Sequence, residues 1–472
     1  MKKTLFIFTL ALLAACSADL TELNVDPKRP KTVPASTLFS NAQKNLTDAI
    51  TSPNINSNVF RLFAQQWTET TYTDEANYDL TTRDIPQNFW TVLYQDVLKN
   101  FRESKRLNEA DATLQPAVKA NLLAIEDIME VYTYSVLVNT FGNIPYTESL
   151  DFTNVSPKYD DAKTIHLDLI KRLDAAIAAL KVGAESYGEA DLIYGGDAAH
   201  WKTFAATLKF KLGMMLADSD PALAKTVVEQ TAPTVFKSAD DNAVFHYLAS
   251  PPNTNPVWVN LVQSGRKDFV GANTIIDRMN ALGDPRLNAY FTKDAKGAYS
   301  GGKYAASSNY ATFSKPGDIS ITPTNPALLL DYSEVEFYLA EAVERGMNVG
   351  GTAQSHYDKA IIAAFDNWGV AGAADYLAKP AVKYTTATGT YKEKIGTQKW
   401  LALYNRGFEA WTEWRRLDFP RLNVPAGKVY ADIPVRYIYP VGEQNLNTNS
   451  YNAAATAIGG DKVSTKLFWD KN

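Results

Sequence analysis

The four histidines, His166, His200, His246 and His356, are too far apart for an HExxH or comparable metal-binding pattern. No GxSxG nucleophile elbow is present. Ser264-Gly265-Arg266-Lys267 matches SxxK, but its SDN and KTG companions are missing, so it predicts no acyl-transfer serine. Gly297 to Tyr304 (GAYSGGKY) nearly matches a phosphate-binding loop. Tyr304 stands where the magnesium-binding Ser or Thr belongs and no apolar strand precedes the segment, so it reads as a flexible surface loop. Carboxylates are plentiful, yet a glycosidase needs two of them about 5–5.5 Å or 6.5–9.5 Å apart across a cleft. Sequence spacing does not show that separation. Glu334, Glu336, Glu341 and Glu344 read as the solvated side of one helix. Glu409, Glu413 and Asp418, beside Arg406, Arg415 and Arg416, read as structural ion pairs. His166 and His356 fall in helical patterns as packed or surface residues. The chain is predicted not to be an enzyme, with no catalytic residue, no metal and no cofactor.

Aromatic side chains are the other source of chemistry. The chain holds 9 Trp, 25 Tyr and 21 Phe, and residues 60–90 carry Trp67, Tyr72, Tyr78, Phe89 and Trp90 among amides and charges. Aromatic faces stack on sugar rings or peptide side chains, while amides, carboxylates and Arg bond hydroxyls. Trp67, Tyr72, Asn77, Tyr78 and Arg83 are the expected ligand contacts. Trp67 and Trp90 also fit core positions at helix ends, whereas Tyr72, Asn77 and Tyr78 fall in a non-periodic stretch.

Cys16 is the only cysteine, which excludes intramolecular disulfides, CxxC redox chemistry and multi-cysteine metal sites. It ends a segment with Lys2 and Lys3 followed by an apolar stretch from Thr4 to Ala15, too short to span a bilayer of about 30 Å. Residues 1–15 therefore read as a secretory signal peptide. Leu13-Ala14-Ala15-Cys16 resembles a bacterial lipobox, with Cys16 as the lipidated first residue of the mature chain. Two or three palmitate-type chains, at about 0.8 kcal/mol per buried CH₂, give stable anchoring where one does not.

The elements that must position these residues follow from composition and periodicity. In 472 residues, 47 Lys and Arg stand against 52 Asp and Glu, a net −5 that disfavours a nucleic-acid partner. Hydrophobic content of 46% with 21% charged residues is globular. Residues 16–35, with Pro27, Pro30 and Pro34, read as anchor and linker, and residues 36–472 as one domain. Val118, Leu122, Ile125, Met129, Tyr132 and Val136 mark one face of a helix over 116–141. Trp400, Tyr404, Phe408 and Trp411 recur with the same period. Further helices are predicted over 87–106, 164–180 and 198–216. A helix from Asp331, a break at Gly346 and Gly350-Gly351, and a second helix with Ala353, Tyr357 and Ala360 resemble a tetratricopeptide hairpin. Residues 231–270 and 293–326 lack periodicity, and loops this long usually line a site. The fold class is mainly α, with helical hairpins, long loops and minor β elements.

In order along the chain, several motifs resemble the SusD/RagB family of nutrient-binding outer-membrane lipoproteins, closest to its second, divergent branch. After the lipobox comes Leu23-Asn24-Val25-Asp26-Pro27. Phe141-Gly142-Asn143-Ile144-Pro145-Tyr146 ends a long helix, and Glu334 to Ala342 (EVEFYLAEA) is similar to the family's acidic–aromatic helix. Lys399-Trp400-Leu401-Ala402-Leu403, Glu409-Ala410-Trp411, Arg415-Arg416 and Pro420 form another element. Pro434-Val435-Arg436 through Tyr439-Pro440, with Glu443, Asn447 and Tyr451, forms the last.

The resemblance implies one domain on tetratricopeptide-like hairpins, with loops forming the ligand face. It implies a cell-surface lipoprotein on the outer membrane that captures oligosaccharides or oligopeptides. The implied partner is a SusC-like TonB-dependent transporter, over which it would sit as a lid. Two readings compete with this one: a surface glycoside hydrolase, distinguished by product formation, and a helical-repeat scaffold that binds protein but no small ligand.

Overall fold

The structure is a computed structural model that describes residues 33–471. Cys16, the signal segment and the Leu23–Pro27 element lie outside the described residues. The chain is mainly helical, as expected, and its longer helices pack as neighbouring pairs. The first long helix, α1 (Ala35–Thr51), packs against a continuous run of α2 (Ile85–Thr91), a π-helical stretch (Val92–Leu98) and α3 (Lys99–Ala110). Four hairpins follow: α4 (Pro116–Phe141) with α5 (Ala162–Ala179), α6 (Ala198–Met215) with α7 (Pro221–Thr231), α9 (Tyr332–Glu344) with α10 (Ala353–Asp366), and α11 (Tyr391–Ala402) with α12 (Gly407–Leu417). A further helix, α8 (Asn273–Leu282), stands between the second and third hairpins in sequence.

Local chemistry places the helix starts. Asp161 accepts from the Thr164 N–H at 2.8 Å to cap α5, and Asp331 accepts from the Glu334 N–H at 2.7 Å to cap α9. Thr352 and Ser355 form a reciprocal capping box at the head of α10. Pro116 and Pro221 sit in the first turns of α4 and α7, where a missing N–H costs nothing.

Two small antiparallel pairs stitch loops to this frame. In one, β1 (Trp67–Glu69) pairs with β3 (Phe269–Gly271), Trp67 lying opposite Gly271. In the other, β2 (Ala243–Phe245) pairs with β4 (Ala327–Leu330), with a register shift at Ala243/Val244. One large core runs through most hairpins, and a smaller one gathers Phe337, Tyr357, Phe365, Tyr376 and Leu417.

Three expectations change. Trp400, Tyr404, Phe408 and Trp411 do not share one helix, because α11 ends at Ala402 and α12 begins at Gly407. Between them Asn405 adopts φ +67°, and a Cβ on Gly407 would lie 2.5 Å from the Arg61 backbone nitrogen. That close approach is open only to glycine. Glu334, Glu336 and Glu341 are buried rather than solvated, and Glu344 alone of the four is exposed. Cationic side chains reach them: Arg416 bonds Glu341, Arg406 bonds Glu334 at 2.7 Å, and His356 bonds Glu336 at 2.5 Å. The Gly297–Tyr304 segment starts exposed, but its end is packed rather than free. Gly302 bridges to Ala272, and buried Tyr304 donates to the Leu62 carbonyl at 2.8 Å.

Among the described residues no helix is long and apolar enough to cross a membrane. His166 is packed, its Nε2 lying 2.9 Å from the Leu212 carbonyl.

Candidate functional site

The interrupted helix 400–411 lines a partly enclosed cavity. Residues 402–409 make one wall, and the end of α1 (Ile50, Thr51) makes another. Ile319, Asn325 and Pro326 come from the long loop entering β4, Ala327 and Leu328 from β4 itself, and Asn367 and Trp368 follow α10. The cavity is about 160 Å³, with Tyr132, Tyr404, Phe408 and Glu409 buried along its lining. Its mouth is lined by exposed or half-buried Ile319, Asn325, Pro326, Asn367, Trp368 and Asn405. Buried lining beneath an exposed rim makes a pit rather than a through-groove.

An aromatic cluster holds the Trp368 rim. Tyr404 stacks on Tyr290 at 4.2 Å between centroids, and Trp368 packs edge-on to Tyr290 at 4.8 Å. Asn405 is fixed from behind. Its side-chain oxygen accepts from Arg61 Nε at 2.8 Å, and its backbone N–H donates to Gln66 at 3.0 Å. The Asn405 Nδ2 and the Asn325 side-chain amide have no hydrogen-bond partner among the described residues. Asn367 donates to Asp331 at 3.0 Å.

The charged wall is self-compensating. Arg406 donates to Glu334 (2.7 Å) and the Leu329 carbonyl (3.1 Å) and pairs with Asp331 at 3.3 Å. Lys211 pairs with Glu334 at 2.9 Å and also with Glu409. Burial pushes the Asp331 carboxyl up against the pull of Arg406. Burial also raises Glu409, and Glu334 beside it adds to the shift despite Lys211. For Glu334, burial is outweighed by the Lys211 and Arg406 charges, which hold it below the usual carboxylate range. Each carboxylate here is tied to a cation, an arrangement suited to holding shape rather than moving protons.

The structure does not bring the five expected contacts onto one surface. Trp67 is 1% exposed and donates its indole N–H to the Tyr404 hydroxyl at 3.0 Å, so it braces the pit from behind. Tyr78 is fully buried against Phe63. Neither ring has a face open to a ligand, because the apolar area of both fills the core. Asn77 is buried as well, donating to the Thr73 and Ala305 carbonyls at 2.8 and 2.9 Å. Arg83 is half-buried and pairs with buried Glu75. Tyr72 alone stands out, 78% exposed, with φ +53° just before the turn that starts at Thr73. The pit residues Trp368, Asn367 and Asn405 were missed. The usable signal was the long aperiodic loop 293–326, which supplies Ile319 and Asn325.

Residues 27–440 match a family model described as starch-binding and associating with the outer membrane. Among solved structures, a chitin-binding protein is 26% identical with a TM-score of 0.81, covering 93% of this chain and 100% of its own. A SusD homologue from Bacteroides uniformis is 25% identical with a TM-score of 0.79, covering 92% and 99%. A chitin-binding SusD homologue from Flavobacterium johnsoniae is 24% identical with a TM-score of 0.77, covering 93% and 98%, a likeness of fold. No curated protein sequence matches.

Proposed function

The chain belongs to the SusD-like family, described as starch-binding and associating with the outer membrane, and from that membership we propose that it captures oligosaccharides in the Trp368 pit without chemical change. The observation that carries this reading is the pit itself: an indole and three amides, Asn325, Asn367 and Asn405, at the mouth of a cavity with an aromatic lining. A sugar ring offers an apolar C–H face to the indole and a rim of hydroxyls to the amides. The chitin-binding relative at 26% identity supports N-acetylated glycans as the first ligands to try. Cation-paired Asp331, Glu334 and Glu409 support binding over hydrolysis.

In this reading Cys16 carries the lipid, residues 16–35 tether the domain at the outer membrane, and the captured glycan passes to a SusC-like TonB-dependent transporter. Tyr72 supplies a second exposed stacking face.

The test is isothermal titration of a soluble form beginning after Cys16, against chito- and malto-oligosaccharides and oligopeptides, with product analysis of each mixture. Saccharide binding with ligand recovered intact, weakened at least tenfold by Trp368→Ala, is the expected result. Cleaved product overturns the capture role, and binding of peptides alone overturns the ligand class.

A further inference from the structure

Away from the pit, the loop 293–326 carries a second concentration of chemistry. Tyr310 is half-buried there, with two ammonium groups against its ring: Lys315 Nζ at 5.1 Å and Lys267 Nζ at 5.9 Å from the centroid. The lysines arrive from different segments, Lys267 from the turn entering β3 and Lys315 from the returning limb of the loop. Attraction to the ring accounts for one such approach. The second brings another positive charge to the same ring with no carboxylate paired to either lysine.

Neither lysine has an ion-pair partner among the described residues. Lys315 Nζ donates to the Phe313 carbonyl at 3.3 Å. The neighbouring carboxylate, Asp268, is taken by Arg266 at 2.5 Å. The Tyr310 hydroxyl has no acceptor among the described residues. Two ammonium groups thus lie near one phenol ring with no ion-pair partner among the described residues, in a chain whose net charge is −5. An exposed aromatic face lies on the adjoining segment. The Thr70 carbonyl accepts from the Ser307 hydroxyl and the Ser308 N–H, both at 2.9 Å, two residues before the exposed Tyr72.

We propose that Lys267, Lys315 and Tyr310 form an oxyanion subsite for a carboxylate or sulfate substituent on an acidic oligosaccharide. The proposal rests on the carbohydrate-binding reading but not on the pit, whose cations Arg406 and Lys211 are already engaged by Asp331, Glu334 and Glu409. Charge-assisted bonds from two ammonium groups recognise the oxyanion, and binding carries the salt dependence of exposed charges.

The experiment titrates three oligosaccharides of equal length into the soluble protein at low and moderate salt: oligogalacturonate, a sulfated galactan fragment and chitotetraose. It is repeated with Lys267→Ala/Lys315→Ala and, separately, with Trp368→Ala. The expected result is binding of the carboxylated or the sulfated ligand that survives Trp368→Ala. It should fall at least tenfold in the double lysine variant and weaken with salt, while chitotetraose binding is unchanged by the lysine substitutions. Which acidic ligand binds names the oxyanion. Equal binding of both acidic ligands by wild type and the double variant, or no binding of either, overturns the subsite whatever the pit does with chitotetraose. An acidic peptide bound as tightly as the acidic saccharides, and lost with the same lysines, overturns the ligand class.

Discussion

Trp67 donates its indole N–H to the Tyr404 hydroxyl at 3.0 Å, joining positions 337 residues apart in sequence. Tyr404 passes the chain on by donating to the Tyr290 carbonyl at 2.8 Å while stacking on the Tyr290 ring. The segment richest in expected ligand contacts therefore serves as the rear support of a pit whose rim comes from three other segments. Arg61 and Gln66 do the same for Asn405.

That relationship separates two tryptophans by experiment. Trp67→Ala should lower stability by about 3–5 kcal/mol, the usual loss for a fully buried aromatic, seen as a fall in the urea midpoint. Trp368→Ala, at the half-exposed rim, should weaken saccharide binding at least tenfold with a much smaller midpoint change. The reverse pattern, with affinity tracking Trp67 and stability tracking Trp368, would exchange their assigned roles.

Glu69 and Glu75 are buried side by side, 2% and 1% exposed. Arg83 holds Glu75, while burial and the Glu75 carboxyl push Glu69 up to about 10. A raised folded-state value means the folded protein keeps a proton that the unfolded chain gives up near 4.5. Stability from this group is therefore fully present below pH ~4.5 and declines as pH rises toward about 10. Glu69→Gln, which mimics the protonated acid, should flatten that decline and raise stability at pH 8 by at least about 1 kcal/mol. Denaturant melts at pH 5, 7 and 9 read it; parallel curves for the two proteins would contradict it.

Arg416 lies between Glu341 and Glu413, all three buried, with Glu413 also 2.9 Å from Lys399. Removing one member leaves a buried charge uncompensated. Glu341→Leu should destabilise by about 3–5 kcal/mol. The exposed Glu344→Leu on the same helix should cost under about 1 kcal/mol by thermal melting. A mild effect of the first would mean that Arg416 finds other partners.

His356 joins α10 to α9 through Glu336 and to the Gly350 carbonyl at 2.9 Å. Burial lowers its basicity, but the Glu336 bond outweighs that, and the imidazole stands above its ordinary 6.5. Its contribution is present below pH ~6.5 and is lost as pH rises through the folded value. His356→Gln should reduce the loss of Tm between pH 6 and pH 9, and an unchanged slope would refute the assignment.

Helix identity was legible in the sequence where one period ran without interruption. The span 116–141 matches α4 to the residue, because an unbroken apolar stripe with Pro at its start and Gly142 after its end admits one local solution. The hairpin of α9 and α10 was legible for the same reason, its break marked by glycines. Periodicity failed at 400–411, where the aromatic spacing continues through a break set by the contact of Gly407 with Arg61, far away in sequence. It failed again at Glu334 and Glu341, since a carboxylate's preference for water is overturned only by cations that the fold delivers. Residue types by themselves thus determined the helical class, the punctuation of the long helices and Cys16 as an anchor candidate. Which aromatics face outward was a tertiary decision. Burial depends on what packs against a ring, so Trp67 became scaffold and Trp368 became rim only when distant segments closed around Tyr404.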